Sequence, residues 1–166
     1  MAIRPELPDD YESVRSVNLA AFPTSAEANL VDALRGVDSE VHALVAEIEQ
    51  RVVGHILFSP VAISTCPQLR WTGLGPMAVE PGQQRSGIGS ALVHAGLKAC
   101  AARGMQGVVV LGHANFYPRF GFRPASEFGL RWEHGHAESF FALELEPGSH
   151  APAAGVVTYH PAFNDV

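Results

Sequence analysis

The 166-residue sequence predicts a mixed α/β fold, a sheet in which antiparallel hairpins feed one parallel connection. Three observations predict it. VHALVAEI and RVVGHILFSPVAI, two apolar runs rich in β-branched residues, flank the polar stretch Glu49-Gln50-Arg51, the pattern of a hairpin. WTGLGPMAV, a glycine loop, the helix-like SGIGSALVHAGLKACAARG and the apolar run GVVVL then follow in order. A strand, helix and strand in succession imply a parallel pair with a right-handed crossover. Finally, 47% hydrophobic and 17% charged residues describe a chain that can bury a core. Length and the lack of a linker predict one domain, 1–166, with 146–166 packed on it as a C-terminal segment.

Each element has its own signal. AIRPEL reads as a short first strand. Pro8-Asp9-Asp10 supplies capping chemistry before YESVRSVNLAAF, where Tyr11, Val14, Val17, Leu19 and Phe22 recur at roughly helical spacing. Pro23 ends that helix, and SAEANLVDALRG makes a second one, closed by Gly36. Pro76 cannot donate to a ladder, so WTGLGPMAV must be bulged or open on one side near it. The long helix runs to Gly104 with Ile88, Leu92, Ala95, Leu97 and Ala99 available for its buried side. GVVVL is continuous and short, as in a central strand covered on both faces. FYPRFGF holds one helical turn at most, SFFALELE alternates as a late strand, and GVVTYHPAF forms a last strand or a packed tail.

Composition excludes several functions. No apolar run reaches membrane-spanning length, and MAIRPELPDD has no signal-peptide pattern, so no membrane partner is expected. Two cysteines, Cys66 and Cys100, make no disulfide scaffold, and a reducing cytoplasm is the expected compartment. A net charge of −6 argues against nucleic acid as a partner and suits a neutral or cationic substrate.

The glycine loop QQRSGIGSAL asks for a phosphate. Glycine is poor inside helices, and two of them at a helix start let a bulky group reach the backbone. The nucleotide-hydrolase loop needs Lys-Ser or Lys-Thr after its last glycine, where Ser90-Ala91 stands. A dinucleotide fingerprint needs a small residue where Leu92 stands. Successive N–H groups from Arg85 through Ser90 could still cradle a pyrophosphate.

Gln84-x-x-Gly87-x-Gly89, preceded by Met77-Ala78-Val79-x-Pro81, resembles the acetyl-CoA loop of the GCN5-related N-acetyltransferases. Asn115-Phe116-Tyr117-Pro118-Arg119-Phe120-Gly121-Phe122 resembles that family's second signature. Together with LGPMAV and the closing VTYHPAF, the set is similar to a bacterial subgroup of predicted acetyltransferases and covers most of the chain. The resemblance implies a twisted mixed sheet, splayed between WTGLGPMAV and GVVVL, with helices on both faces. It implies acetyl-CoA as cosubstrate and direct transfer to an amine without metal. The backbone of Met77, Ala78 and Val79 would meet the pantetheine arm, Gln84, Arg85, Ser86, Gly87, Ile88, Gly89 and Ser90 the pyrophosphate, and Asn115 would hydrogen-bond the cofactor. Tyr117 would lie beside the CoA sulfur.

Acetyl transfer needs a neutral amine, a polarised thioester and a protonated leaving thiol. A phenol at its ordinary pKa of ~10 lies close to an alkyl thiol, so Tyr117 suits the last task. It could equally pack in an aromatic group with Phe116, Phe120 and Phe122. The base stays open among Glu27, His113 and a water relay. His134-x-His136-x-Glu138 shares one strand face but lacks zinc spacing, and reads as a solvated run. Two rivals remain: a non-catalytic acyl-CoA sensor, and a metal-dependent enzyme using His134 and His136. The acceptor, a small-molecule amine or a peptide or protein amine, is not specified by the residues. Nor is the oligomeric state, a homodimer included.

Overall fold

Glu49 and Gln50 adopt positive φ, 50° and 62°, and close a two-residue hairpin between β2 (His42–Ile48) and β3 (Arg51–Ile63). The computed structural model describes residues 1–135, 137–149 and 154–166. β1 (Ala2–Pro5) pairs antiparallel with β2, from Ala2 opposite Glu47 to Pro5 opposite Leu44. β4 (Trp71–Val79) and β5 (Gly107–Leu111) pair in parallel, with α3 (Ile88–Ala102) between them in the chain, as the expected crossover requires. β6 (Arg123–Pro124), β7 (Leu130–Trp132), β8 (Phe140–Glu144) and β9 (Gly155–Thr158) follow. The hydrogen-bonded strand order is β1-β2-β3-β4-β5-β8-β6. Contacts group the chain into two units, and β3, β4 and α3 each run from one into the other. The first holds Met1–Ser59, Gly75–Gly96 and Pro161–Val166, the second Pro60–Leu74 and Leu97–His160.

In the first unit α1 (Tyr11–Ala21) and α2 (Ala26–Leu34) bury Val14, Val17, Leu30, Val31 and Leu34 with Val45 and Leu57 of the hairpin. Asp10 prepares the entry to α1: it accepts the Leu7 N–H at 2.8 Å and two Arg4 nitrogens at 2.7 and 2.9 Å. The face of α1 differs from the sequence expectation. Tyr11 and Leu19 are exposed, while Asn18 takes a fully buried place beside His55. Tyr11 instead carries the Arg35 guanidinium 3.9 Å above its ring. The final turn, Pro161–Asp165, lays Ala162 and Phe163 on the same core.

The start of α3 packs on β3 through two glycines. A Cβ at Gly54 would stand 3.0 Å from Ile88, and one at Gly96 would stand 2.5 Å from the Phe58 ring. The buried residues of α3 are therefore Ile88, Leu92, Val93, Gly96 and Cys100, whereas Ala95, Leu97 and Ala99 are half-buried. The missing side chain at Gly96 draws the seam to the 88-92-96-100 line.

In the second unit Trp71 covers Gly107, where a Cβ would lie 2.2 Å from the indole. Val108, Val109 and Val110 are buried between β4 and β8, as a central strand requires. β9 pairs antiparallel with the end of β3 (Ile63 opposite Val157) and parallel with β7 (Leu130 opposite Gly155). β6 and β7 were not foreseen, because two or three residues carry no periodicity.

Candidate functional site

The glycine loop lies in the first unit, between the 3-10 turn Pro81–Gln83 and α3. The Gln84 side-chain amide donates to the Val79 carbonyl at 3.1 Å and ties the loop to the end of β4. Ser86 Oγ donates to the Gln83 carbonyl at 2.5 Å. Arg85 and Gly87 take φ of 60° and 90°, so the backbone turns through two left-handed positions before the helix. A Cβ at Gly87 would meet no protein atom within 4 Å. The ladder of α3 opens with Ala91 N–H donating to Gly87 O at 3.0 Å, which puts the N–H groups of Ile88, Gly89 and Ser90 outside it. No acidic residue lies in that first turn. Ile88 is buried and anchors the helix start, Gly89 and Ser90 are half-buried, and residues 84–87 are exposed. This arrangement can receive an anion.

β4 presents alternating surfaces just before the loop: Met77 and Val79 are half-buried and Ala78 lies in the core. Its parallel ladder with β5 runs from Trp71 opposite Gly107 to Leu74 opposite Val110. Next comes Gly75, at φ 143°, joined to Pro76 by a cis peptide bond. β5 meanwhile continues to Leu111, opposite Phe140. The expected parting of the two strands thus falls at the Gly-Pro pair.

Tyr117 belongs to the second unit. The chain leaves β5 with Gly112 N–H donating to Ser139 O at 2.9 Å, then turns so that Phe116 and Tyr117 N–H donate to His113 O at 3.1 and 3.4 Å. Tyr117 is 7% exposed. Its ring meets Phe116 and Phe122 edge-on, at 5.0 and 5.7 Å, and Gly112 is glycine because a Cβ there would stand 2.2 Å from that ring. Burial pushes the phenol up to about 12. His113 and Asn115 are exposed on the turn.

A second tyrosine, to which the sequence reading gave no role, completes this neighbourhood. The Tyr159 ring lies where a Cβ of Gly73 on β4 would be, 2.4 Å away. Burial, and then the nearby Tyr117, raise its hydroxyl well above the ordinary range. Its segment, VTYHPAF, belongs to the resembling set without a role for the tyrosine, and the strand glycine Gly73 marks a close approach without saying by what.

Glu27, on α2 in the first unit, is half-buried, and its Oε2 is buried with no hydrogen-bond partner among the described residues. Cys66 and Cys100 are free and buried, and burial lifts the Cys100 thiol to about 12, too high for a nucleophile. His136 lies outside the described residues. His134 packs against Trp132 with its Nε2 3.8 Å from Glu133. Among the described residues no three His, Cys, Asp or Glu side chains gather as metal ligands.

An acetyltransferase (GNAT) domain family model matches residues 39–124. The chain is 35% identical over 166 residues, 99% of both sequences, to the uncharacterized N-acetyltransferase YhbS of Escherichia coli K12. The crystal structure of YhbS from Escherichia coli in complex with CoA superposes with a TM-score of 0.91 at 34% identity, covering 98% of this chain and 91% of that one. A GNAT family acetyltransferase from Brucella melitensis in complex with acetyl-CoA superposes with a TM-score of 0.80 at 36% identity, covering 98% and 97%.

Proposed function

Because this chain belongs to the GNAT acetyltransferase family, we propose that it moves the acetyl group of acetyl-CoA to a primary amine, of a small molecule or a protein N terminus. Transfer is direct, in one ternary complex and without metal. The observation that carries the reading is the Gln84–Ser90 loop: positive φ at Arg85 and Gly87, open space where a Gly87 Cβ would be, and helix N–H groups outside the ladder. That is what a pyrophosphate needs, and two similar proteins were solved with CoA or acetyl-CoA.

When bound, acetyl-CoA supplies the activated acyl carbon. The N–H groups from Arg85 through Ser90 bind the pyrophosphate, with the Arg85 side chain adding charge. The Met77–Val79 backbone, beyond the point where β4 leaves its ladder with β5, pairs with the pantetheine amides. The Met77 N–H polarises the thioester oxygen, and Asn115 contributes a hydrogen bond to the cofactor. Tyr117 donates to the departing sulfur. With the phenol raised to about 12 and an ordinary thiol near ~8.5, complete transfer runs uphill unless the thiolate is equally desolvated. The hydroxyl therefore acts mainly by strengthening its hydrogen bond as charge grows on sulfur.

Of the three routes for the amine proton, Glu27 is favoured. Its buried, unpartnered oxygen is the kind of exception that a functional partner explains, whereas His113 is exposed. In this reading residues 1–166 work as one domain, 146–166 packs on it, and neither a membrane nor a nucleic acid takes part. The compartment is the cytoplasm, which suits two free thiols. No helix among the described residues is long and apolar enough to cross a membrane. No step depends on a homodimer.

Thermal shift followed by thiol release tests the reading. Acetyl-CoA at 100 times its Kd should stabilise the protein by about 2.7 kcal/mol, while NAD and ATP do nothing. An amine panel should then release free thiol. Stabilisation without turnover of any amine would favour an acyl-CoA sensor, and no stabilisation would sink both readings.

A further inference from the structure

We infer that the cavity beside β7 takes an acceptor carrying a carboxylate and an apolar side chain next to its amine, an α-amino acid rather than a polyamine or aminosugar. The inference rests on the acetyltransferase reading above. The cavity has a volume of about 500 Å3, and its lining includes the apolar Leu130, Trp132 and Phe140 and the polar Ser126, Arg131 and Glu133. That size and composition suit a small-molecule site.

Its position also suits an acceptor. Phe140 sits opposite Leu111, the last residue of β5, and Gly112 bonds Ser139. The cavity wall is thus joined to the carboxyl end of β5, from which the chain runs directly into the Tyr117 turn. Open sheets with parallel strands bind ligands outside those ends. The wall is preformed: β7 is held in register by β9, Glu133 N–H donates to Val157 O at 3.2 Å, and the Trp132 ring is braced edge-on by His134 at 4.9 Å.

Charge selects the ligand. Arg4, Arg15, Arg35, Arg51 and Arg123 each bond a carboxylate. Among the described residues Arg131 has no ion pair, hydrogen bond or ring contact, a condition it shares with Arg85 of the phosphate loop. A guanidinium left free at a cavity is matched to a planar carboxylate, and it repels a polycation. Glu133, in the turn that follows β7, lines the same cavity. It meets the ammonium of the arriving zwitterion, with the His134 Nε2 3.8 Å from its carboxylate. In the reaction the N–C bond forms and the C–S bond breaks. The ammonium first loses one proton to solvent, the attacking amine passes a second to the base, and the sulfur leaves as a thiol.

The test is thiol release with L-phenylalanine and L-leucine against phenethylamine, isoamylamine and spermidine, together with calorimetric binding of L-phenylalanine. The amino acids should exceed their decarboxylated counterparts at least tenfold in kcat/KM. Arg131→Gln, at an exposed position, should raise KM for L-phenylalanine about 10–100-fold, as for a lost charge-assisted hydrogen bond. It should leave kcat and acetyl-CoA affinity near the unmodified values. Equal use of phenethylamine, preference for spermidine, or an unchanged KM in Arg131→Gln would overturn the assignment while the acetyltransferase reading stands. If no amine turns over, calorimetry decides: binding lost in Arg131→Gln supports the cavity as an amino-acid site, and no binding overturns it.

Discussion

His55 makes this fold sensitive to mild acid, and the size of the effect follows from its surroundings. The imidazole lies on β3 with no exposed surface. Its Nδ1 faces Asn18 Nδ2 at 3.4 Å, and its Nε2 faces Glu6 Oε1 at 3.5 Å, an oxygen that already accepts from Arg35 at 2.8 Å. Burial, and to a lesser degree the Arg35 charge, push its pKa down from 6.5 to about 3. The unfolded chain binds this proton below about pH 6.5 and the folded chain refuses it, so stability is complete above 6.5 and falls as pH drops toward 3. At 1.36 kcal/mol per unit, the loss between pH 7 and pH 5 is about 2 kcal/mol, a large share of a typical 5–15 kcal/mol total. Urea denaturation at pH 7, 6 and 5 measures it, with His55→Gln as the non-titrating control. Asp10, held below its ordinary pKa mainly by Arg4, loses its contribution only below the ordinary carboxylate range, under the pH of this assay, and does so equally in both proteins. The informative quantity is the stability lost between pH 7 and pH 5, about 2 kcal/mol greater in the unmodified protein. Equal losses would refute the buried neutral imidazole.

Three further outcomes test the site. Gly87→Val places a branched side chain at φ 90°, in the space assigned to the pyrophosphate. It should cost at least tenfold in acetyl-CoA affinity by calorimetry, and unchanged affinity in a folded variant would move the phosphates elsewhere. Tyr117→Phe keeps the ring packing and should lower kcat by about 10²–10⁴-fold with CoA affinity little changed. A loss confined to KM would make Tyr117 a binding residue. Glu27→Gln should lower kcat at least tenfold with acetyl-CoA affinity little changed, and an unchanged kcat would exclude Glu27 as the base.

Local chemistry made much of this protein legible in its sequence. The hairpin at Glu49-Gln50, the crossover through the glycine loop, the buried run Val108–Val110 and the break at Pro76 all follow from signals a few residues long. The same holds for the turn that carries Tyr117, whereas the left-handed φ at Arg85, a non-glycine, had no signal in the sequence. Tertiary structure decided which residues fill the places those signals leave open. Gly96 draws α3 onto Phe58, Gly73 receives Tyr159, and Asn18 meets His55 across 37 residues of chain. Arg131 and Glu133 gained a cavity only because β7 paired with β9 and Phe140 paired with Leu111. Strand and helix periods repeat over two to four residues and name the buried face. The partner across that face depends on long-range register, for which no local pattern codes.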